Sequence, residues 1–231
     1  MSNLETAKKA YGNSKKMTIL VIALIVAMIA VVGGGMALAL KGGESSDVGA
    51  VETVVAGTSA PDPATAQDRE WTGTLALNDG ELGVTLFGDK APKAVASFLH
   101  LSESGYFDGT TCHRLTTGGF DILQCGDPTA TGSGGPGYTF GPVENAPADD
   151  LYKRGVLAMA RTSDPNSNGS QFFIVYGDTT IPGGTAGGYT VFGEITSGLE
   201  AVEKIAAQGT VSGQQDGAPA APAVLGVASF K

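Results

Sequence analysis

Cysteine, histidine and tryptophan are scarce in this chain: two, two and one among 231 residues. So few thiol and imidazole groups leave no Cys/His/carboxylate cluster at the spacing of a zinc site, and neither a metal nor another cofactor is expected. Basic residues are few as well. From Arg69 onward, 9 Lys and Arg stand against 17 Asp and Glu, a balance of −8. Such a surface repels phosphate backbones, and no basic stripe carries interleaved aromatics, which argues against a nucleic-acid partner. No G-x-S-x-G elbow and no base-orienting spacing of Ser, His and Asp is present, so a hydrolase lacks its nucleophile. The adjacent carboxylates Asp149 and Asp150 fall in a polar loop, where water solvates them. Gly132-Ser-Gly-Gly-Pro-Gly137 lacks the Lys-Ser/Thr that a phosphate loop requires, and Pro136 does not open a helix. It reads instead as a backbone-rich groove wall. No internal repeat of fixed period is present.

What the chain does have begins near its N-terminus. Met17 to Leu40 carries no charged residue and is long enough to cross a bilayer, which takes about 20 apolar residues. Lys8, Lys9, Lys15 and Lys16 precede it against Glu5; Lys41, Glu44 and Asp47 follow. The positive-inside bias then keeps residues 1–16 in the cytoplasm and exports everything after Leu40. The apolar run exceeds the usual h-region of a signal peptide, so a retained single-pass anchor is expected. Ala37-Leu38-Ala39 has the small-x-small pattern of a cleavage site, and secretion after cleavage near Ala39 is the alternative. Residues 41–68 are rich in Gly, Ser, Ala, Thr and Pro and read as a disordered linker. Residues 69–231 are long enough to build one domain with its own core.

In that domain, alternating runs at Trp71–Leu77 and Glu81–Phe87 flank Asn78-Asp79-Gly80, a hairpin signal. Pro92, apolar residues at 95, 98, 99 and 101, and Gly105 beyond them predict an amphipathic helix, with His100 on its surface. Short strands are expected at residues 111–115, 122–125, 156–160, 171–175, 190–195 and 225–230, with a second helix at 199–207. Many strands and few helices suggest a closed barrel or a sandwich. In the run Gln171-Phe172-Phe173-Ile174, alternation puts Gln171 and Phe173 on one face and Phe172 and Ile174 on the other. The first pair supplies a hydrogen-bonding arm and an aromatic floor.

Six motifs then occur in order: Tyr106-Phe-Asp-Gly-Thr-Thr-Cys-His113-Arg114-Leu, Leu123-Gln124-Cys-Gly-Asp127, the Gly132–Gly137 segment, Leu157-Ala-Met159-Ala160-Arg161, Asn166-Ser-Asn-Gly-Ser-Gln171-Phe172-Phe173-Ile174, and Tyr189-Thr-Val-Phe192-Gly193. Together they resemble the cyclophilin-type peptidyl-prolyl cis-trans isomerases over residues 71–230. The resemblance implies a mainly β fold, a closed eight-stranded antiparallel barrel with two capping helices and a groove on its outside. It implies a partner class of proline-containing polypeptides; a monomer is expected, held at the membrane by the N-terminal apolar helix read above. By motif, Arg114 would be the catalytic guanidinium with Gln124 beside it. Met159 and Phe173 would floor the proline pocket, Gln171 and the Ala160-Arg161 backbone would hold the peptide, Gly132 would line the next subsite, and His113 would stand at the groove edge.

The chain departs from the family pattern at two loops. Between Arg114 and Gln124 it is two residues longer, so the pocket phenylalanine is either Phe120, the expected choice, or lost to Asp121. Ile181-Pro182 stands where many members carry Trp-Leu, so weak cyclosporin sensitivity is expected, and Tyr189 would replace the pocket histidine. Cys112 and Cys125 straddle a segment whose ends should pair as adjacent strands. In an exported domain they form either a disulfide or two buried thiols.

Overall fold

The structure, a computed structural model, describes residues 59–231. The expected anchor at residues 17–40 lies outside them. Among the described residues no helix is long and apolar enough to cross a membrane. The end of the expected linker proves to be ordered. Pro63–Ala66 forms a 3-10 turn capped by the Asp62 carboxylate, Ala66 is fully buried, and its carbonyl accepts the Trp71 indole N–H at 2.9 Å. A single aromatic anchor thus secures a stretch whose composition alone gave no reason for order.

The hairpin forms as read: β1 (Glu70–Leu77) and β2 (Gly80–Phe87) pair antiparallel from Glu70↔Phe87 to Leu77↔Gly80. Asn78 turns the chain at φ 52°, a left-handed conformation that Asn tolerates better than most residues. Helix α1 (Pro92–Glu103) starts on its proline but has no side-chain cap of its own. Glu144, far along the chain, accepts the Lys93 and Ala94 N–H groups at 3.2 and 3.1 Å instead. The helix buries Phe98 against Phe107, Phe172, Phe192 and Phe230, with ring centroids 5.0 to 5.8 Å apart. Such aromatic pairs add to the burial of their area.

The remaining strands are β3 (Arg114–Thr116), β4 (Ile122–Cys125), β5 (Leu151–Tyr152), β6 (Val156–Met159), β7 (Phe172–Val175), β8 (Thr179–Thr180), β9 (Val191–Ser197), β10 (Asp216–Gly217) and β11 (Leu225–Phe230); α2 (Glu200–Ala206) precedes β10. They form a nine-stranded antiparallel sheet in the order β10-β3-β4-β7-β6-β9-β2-β1-β11, with β5 and β8 paired separately. Register shifts in the β1–β11, β2–β9 and β6–β9 ladders add twist and help curl the sheet strongly. The expected mainly β fold with two helices is present, and its sheet is a strongly curled half-barrel. Its ladder ends on β10 and β11; the segment before β3 bridges Val224 at Thr111, and the Gly109, Cys112 and Leu225 N–H groups donate to the Leu225, Ala223 and Thr110 carbonyls. The strand expected from residue 111 begins at Arg114, leaving His113 outside it.

Cys112 and Cys125 are disulfide-bonded and buried, resolving the alternative left by the sequence. The bond ties the residue before His113 to the end of β4, clamping together the two chain segments that bear Arg114 and Gln124. A thiol titration of the unreduced domain should therefore find none. With a sequence separation of 13, reduction should cost about 2–3 kcal/mol, read as a shift in the urea midpoint. Two titratable thiols in protein that had never met reductant would contradict the bridge.

Candidate active site

Strand alternation sorts the side chains into two clusters. Leu157 and Met159 of β6 join Phe172 and Ile174 of β7 in the sheet interior; Ala158 joins Phe173, Ile122, Val175, Ile181 and Val191 on the outer face. Met159 is 2% exposed and faces inward, so it is not the pocket floor expected of it. The parity of the strand decides this, since its neighbours Ala158 and Ala160 occupy the outer side. Phe173 does lie outward. Phe120, Tyr189 and Ala160 pack half-buried against its cluster, and the Tyr189 ring stands edge-on to Phe173 at 5.7 Å. Ile181 is buried behind them as backing.

The longer loop after β3 delivers Phe120, not Asp121, to this cluster. The Arg114 guanidinium carbon is 5.9 Å from the Phe120 ring centroid, within cation–π range. Asp121 instead accepts the Gly119 N–H at 3.2 Å, and its own N–H donates to Thr179 Oγ1 at 2.9 Å.

A chain of polar contacts crosses the outer face beside this apolar patch. Arg114 Nη1 donates to Gln124 Oε1 at 3.3 Å, and Gln124 Nε2 donates to Gln171 Oε1 at 2.8 Å. Gln171 Nε2 then donates to the Gly132 and Gly134 carbonyls at 3.0 and 2.9 Å. The amide of Gln171, expected to hold peptide, is thus committed to the groove wall, and the Ala160 N–H is likewise taken by the Gln171 carbonyl. A groove of about 900 Å³ opens here, lined by Gln124, Gly132–Thr139, Ala160, Arg161 and Gln171 among others.

Asp127, which the sequence placed in a motif without a role, organises that wall from below. Its buried carboxylate accepts N–H groups from Thr129 (2.7 Å), Thr131 (3.1 Å), Gly132 (2.7 Å) and Gly134 (3.0 Å), and the Thr129 hydroxyl at 2.7 Å. Burial alone would raise its pKa, but the bonds from Thr129, Gly134 and Gly132 outweigh burial and hold it at about 2. A Cβ at position 134 would collide with the carboxylate, which is why glycine is needed there.

Arg161 closes the other side. Its Nε and Nη2 donate to the Gly188 carbonyl, and its guanidinium lies 4.6 Å from the Tyr189 ring centroid. Tyr189 is also held by Tyr152, whose hydroxyl accepts the Tyr189 N–H at 2.7 Å. His113 stands beside Gly132, where a Cβ would lie 3.7 Å from the imidazole. Its two ring nitrogens are buried without partners. Burial pushes its pKa down, Asp127 opposes this and Arg114 adds to it.

The partner that sequence reading missed altogether is Asp216. It accepts from Arg114 Nε at 2.8 Å and Nη2 at 2.7 Å across a separation of 102 residues, with no local motif to announce it. That hydrogen bond is the main reason the Arg114 pKa is raised, and the guanidinium stays charged. Among the described residues no cluster of His, Cys, Asp and Glu is placed to hold a metal.

Beside this groove the outer face offers two held guanidiniums, an amide relay and an aromatic patch, which together can hold an apolar ring and polarise an amide. Comparison with known proteins agrees. A family model described as cyclophilin type peptidyl-prolyl cis-trans isomerase/CLD matches residues 73–226. The chain is 45% identical over 177 residues to the probable peptidyl-prolyl cis-trans isomerase B of Mycobacterium leprae, covering 71% of this chain and 57% of that one. The counterpart of the same description from Mycobacterium tuberculosis is also 45% identical, over 64% of this chain and 50% of its own. The chain therefore spans about half the length of the curated relatives it first matches. A crystal structure of a Cryptosporidium parvum cyclophilin type peptidyl-prolyl cis-trans isomerase superposes with a TM-score of 0.59 at 33% identity, covering 71% of this chain and 98% of that one. By sequence match, fold and site, the chain belongs to the cyclophilin-type peptidyl-prolyl cis-trans isomerase family.

Proposed function

We propose that the domain accelerates cis–trans isomerisation of X-Pro bonds in exported proteins. The observation that carries this reading is the juxtaposition of Arg114, Gln124 and Gln171 with the Phe173–Phe120–Tyr189 patch on one outer face. A Cryptosporidium parvum relative, 34% identical with a TM-score of 0.58, was crystallised in the presence of the dipeptide Ala-Pro, which supports proline as the group held.

Resonance keeps the X-Pro amide planar, with a rotation barrier of about 18–20 kcal/mol. Lowering it requires neither a covalent intermediate nor an external proton donor, only tighter binding of the twisted amide than of the planar one. The apolar patch clamps the pyrrolidine ring while the preceding carbonyl turns. As the amide twists, the nitrogen regains its lone pair and becomes an acceptor, and a rigid, permanently charged guanidinium is suited to donate to it. Phe173 and Phe120 floor the ring site, Tyr189 walls it, and Gly132 with the Gly-rich wall takes the neighbouring residues of the peptide.

Protease-coupled turnover of an X-Pro peptide tests the reading. The expected result is a rate proportional to enzyme concentration and above the spontaneous rate. Peptide binding without turnover would instead establish the rival reading, a catalytically weak prolyl-peptide-binding module tethered at the membrane.

The same proposal places the domain outside the cell membrane as a monomer, carried by a single-pass anchor at residues 17–40 with the N-terminus in the cytoplasm, and it includes closure of the half-barrel into a barrel through the Thr111–Val224 bridge. The full chain should sediment with membranes and resist extraction by high salt. Recovery as a soluble secreted protein shortened by about 4 kDa would replace the anchor with cleavage near Ala39.

A further inference from the structure

The Arg114 guanidinium is gripped from both sides by the strands that flank β3. Gln124 lies directly opposite Arg114 in the β3–β4 ladder. Asp216 lies opposite Thr116 in the β3–β10 pair. Because Thr116 and Arg114 are two apart on one strand they share a face, which makes Asp216 the diagonal neighbour of Arg114. β10 consists of Asp216 and Gly217 alone and forms the edge of the sheet. This short edge strand sets a carboxylate against the guanidinium in a two-point fork at 2.8 and 2.7 Å.

Such a pair contributes little to the fold. The two side chains are 38% and 57% exposed, and exposed ion pairs are screened by water and salt. Its effect on the arginine is geometric. Arginine is long and rotamer-rich, and a catalytic cation left to wander must be ordered anew at each turnover. Asp216 occupies Nε and one hydrogen of Nη2; Gln124, which lines the groove, occupies one hydrogen of Nη1. One hydrogen on each terminal nitrogen stays uncommitted in this arrangement.

We propose that Asp216 is the positioning residue of the isomerase site, fixing the Arg114 guanidinium so that its uncommitted donors meet the twisted proline amide without further ordering. The proposal rests on the reading of Arg114 as the catalytic cation. Asp216 makes no contact with substrate in this role; it acts through the arginine alone.

The test compares the wild-type domain with Asp216→Ala, Asp216→Glu, Arg114→Ala and the Arg114→Ala/Asp216→Ala double variant. Asp216 is exposed, so neither of its replacements disturbs the core. Asp216→Ala should lower kcat for an X-Pro peptide by about five- to tenfold while KM stays within about twofold. In ¹⁵N NMR the Arg114 Nε–H should exchange faster with water, and Asp216→Glu should recover most of both effects. In the Arg114→Ala background, removing Asp216 should change nothing further. An unchanged kcat in Asp216→Ala, with Arg114→Ala inactive, overturns the positioning role and leaves the Arg114 reading standing. A raised kcat would mean that Asp216 withholds the cation from substrate, and it overturns the proposal equally. Wild-type kcat in Arg114→Ala removes both readings together.

Discussion

Replacing Arg114 by alanine is expected to cut turnover of an X-Pro peptide by more than about tenfold, a loss of over ~1.4 kcal/mol of transition-state stabilisation. Arg114 is the charged donor joined to the Gln124–Gln171 relay and stacked near Phe120, and no other guanidinium stands in its place. Arg161, the neighbouring cation, is spent on the Gly188 and Thr162 carbonyls. Loss of the Arg114 side chain leaves the fold intact for two reasons. Asp216 remains exposed to water, so its charge is not stranded, and Gln124 keeps its bond to Gln171. Arg114→Lys should retain charge yet lose most of the rate, because an ammonium cannot satisfy the Asp216 fork and the Gln124 carbonyl in the same planar geometry. Protease-coupled turnover with matched circular dichroism spectra reads both variants. A rate within twofold of wild type in Arg114→Ala would withdraw the assignment.

Asp127→Ala is expected to destabilise the domain by about 3 kcal/mol and to impair the site as well. The carboxylate satisfies four backbone N–H groups of the 129–134 loop. Alanine leaves those donors to water and removes the centre around which Gly132 and Gly134 are folded. The same two glycines present their carbonyls to Gln171, so a slackened loop also slackens the relay to Arg114. The pH dependence follows from the depressed pKa. A carboxyl held at about 2 in the folded state, below its unfolded value, contributes its full stability at neutral pH. That contribution begins to fade as pH falls below the unfolded value near 4, and it is gone once pH passes through about 2. Asp127→Ala should therefore flatten the acid limb of the stability curve, measured by urea unfolding from neutral to acidic pH. A variant within about 1 kcal/mol of wild type, with the acid limb unchanged, would show that the loop holds itself.

Much of the fold was legible where the signal is local. Pro92 with its apolar spacing gives α1, the Asn-Asp-Gly turn gives the β1–β2 hairpin, and the parity of Phe172 and Phe173 assigns core and groove correctly. The same parity rule, applied to Met159, would have put it inside with Leu157; motif likeness overrode it and sent a core residue to the pocket. The curl of the sheet is not a local signal either. Whether two sheet edges meet depends on bulges and twist summed over nine strands, and no single segment carries that sum. The order at Pro63–Ala66 was hidden for a related reason: it depends on Trp71 and α1, not on the composition of the linker.

By itself, then, the sequence determined the family, the strand alternation and the residues Arg114, Gln124, Gln171 and Phe173, because each is encoded in a short run whose period or motif survives without neighbours. Only the tertiary structure decided what holds those residues. Asp216 reaches Arg114 from 102 residues away, Asp127 ties a loop whose glycines say nothing of their partner, and Phe120 takes a place that two inserted residues had left open between it and Asp121. Distance along the chain is the physical reason. A hydrogen bond between remote strands costs chain entropy that the rest of the fold has already met, and nothing in either local sequence needs to record it.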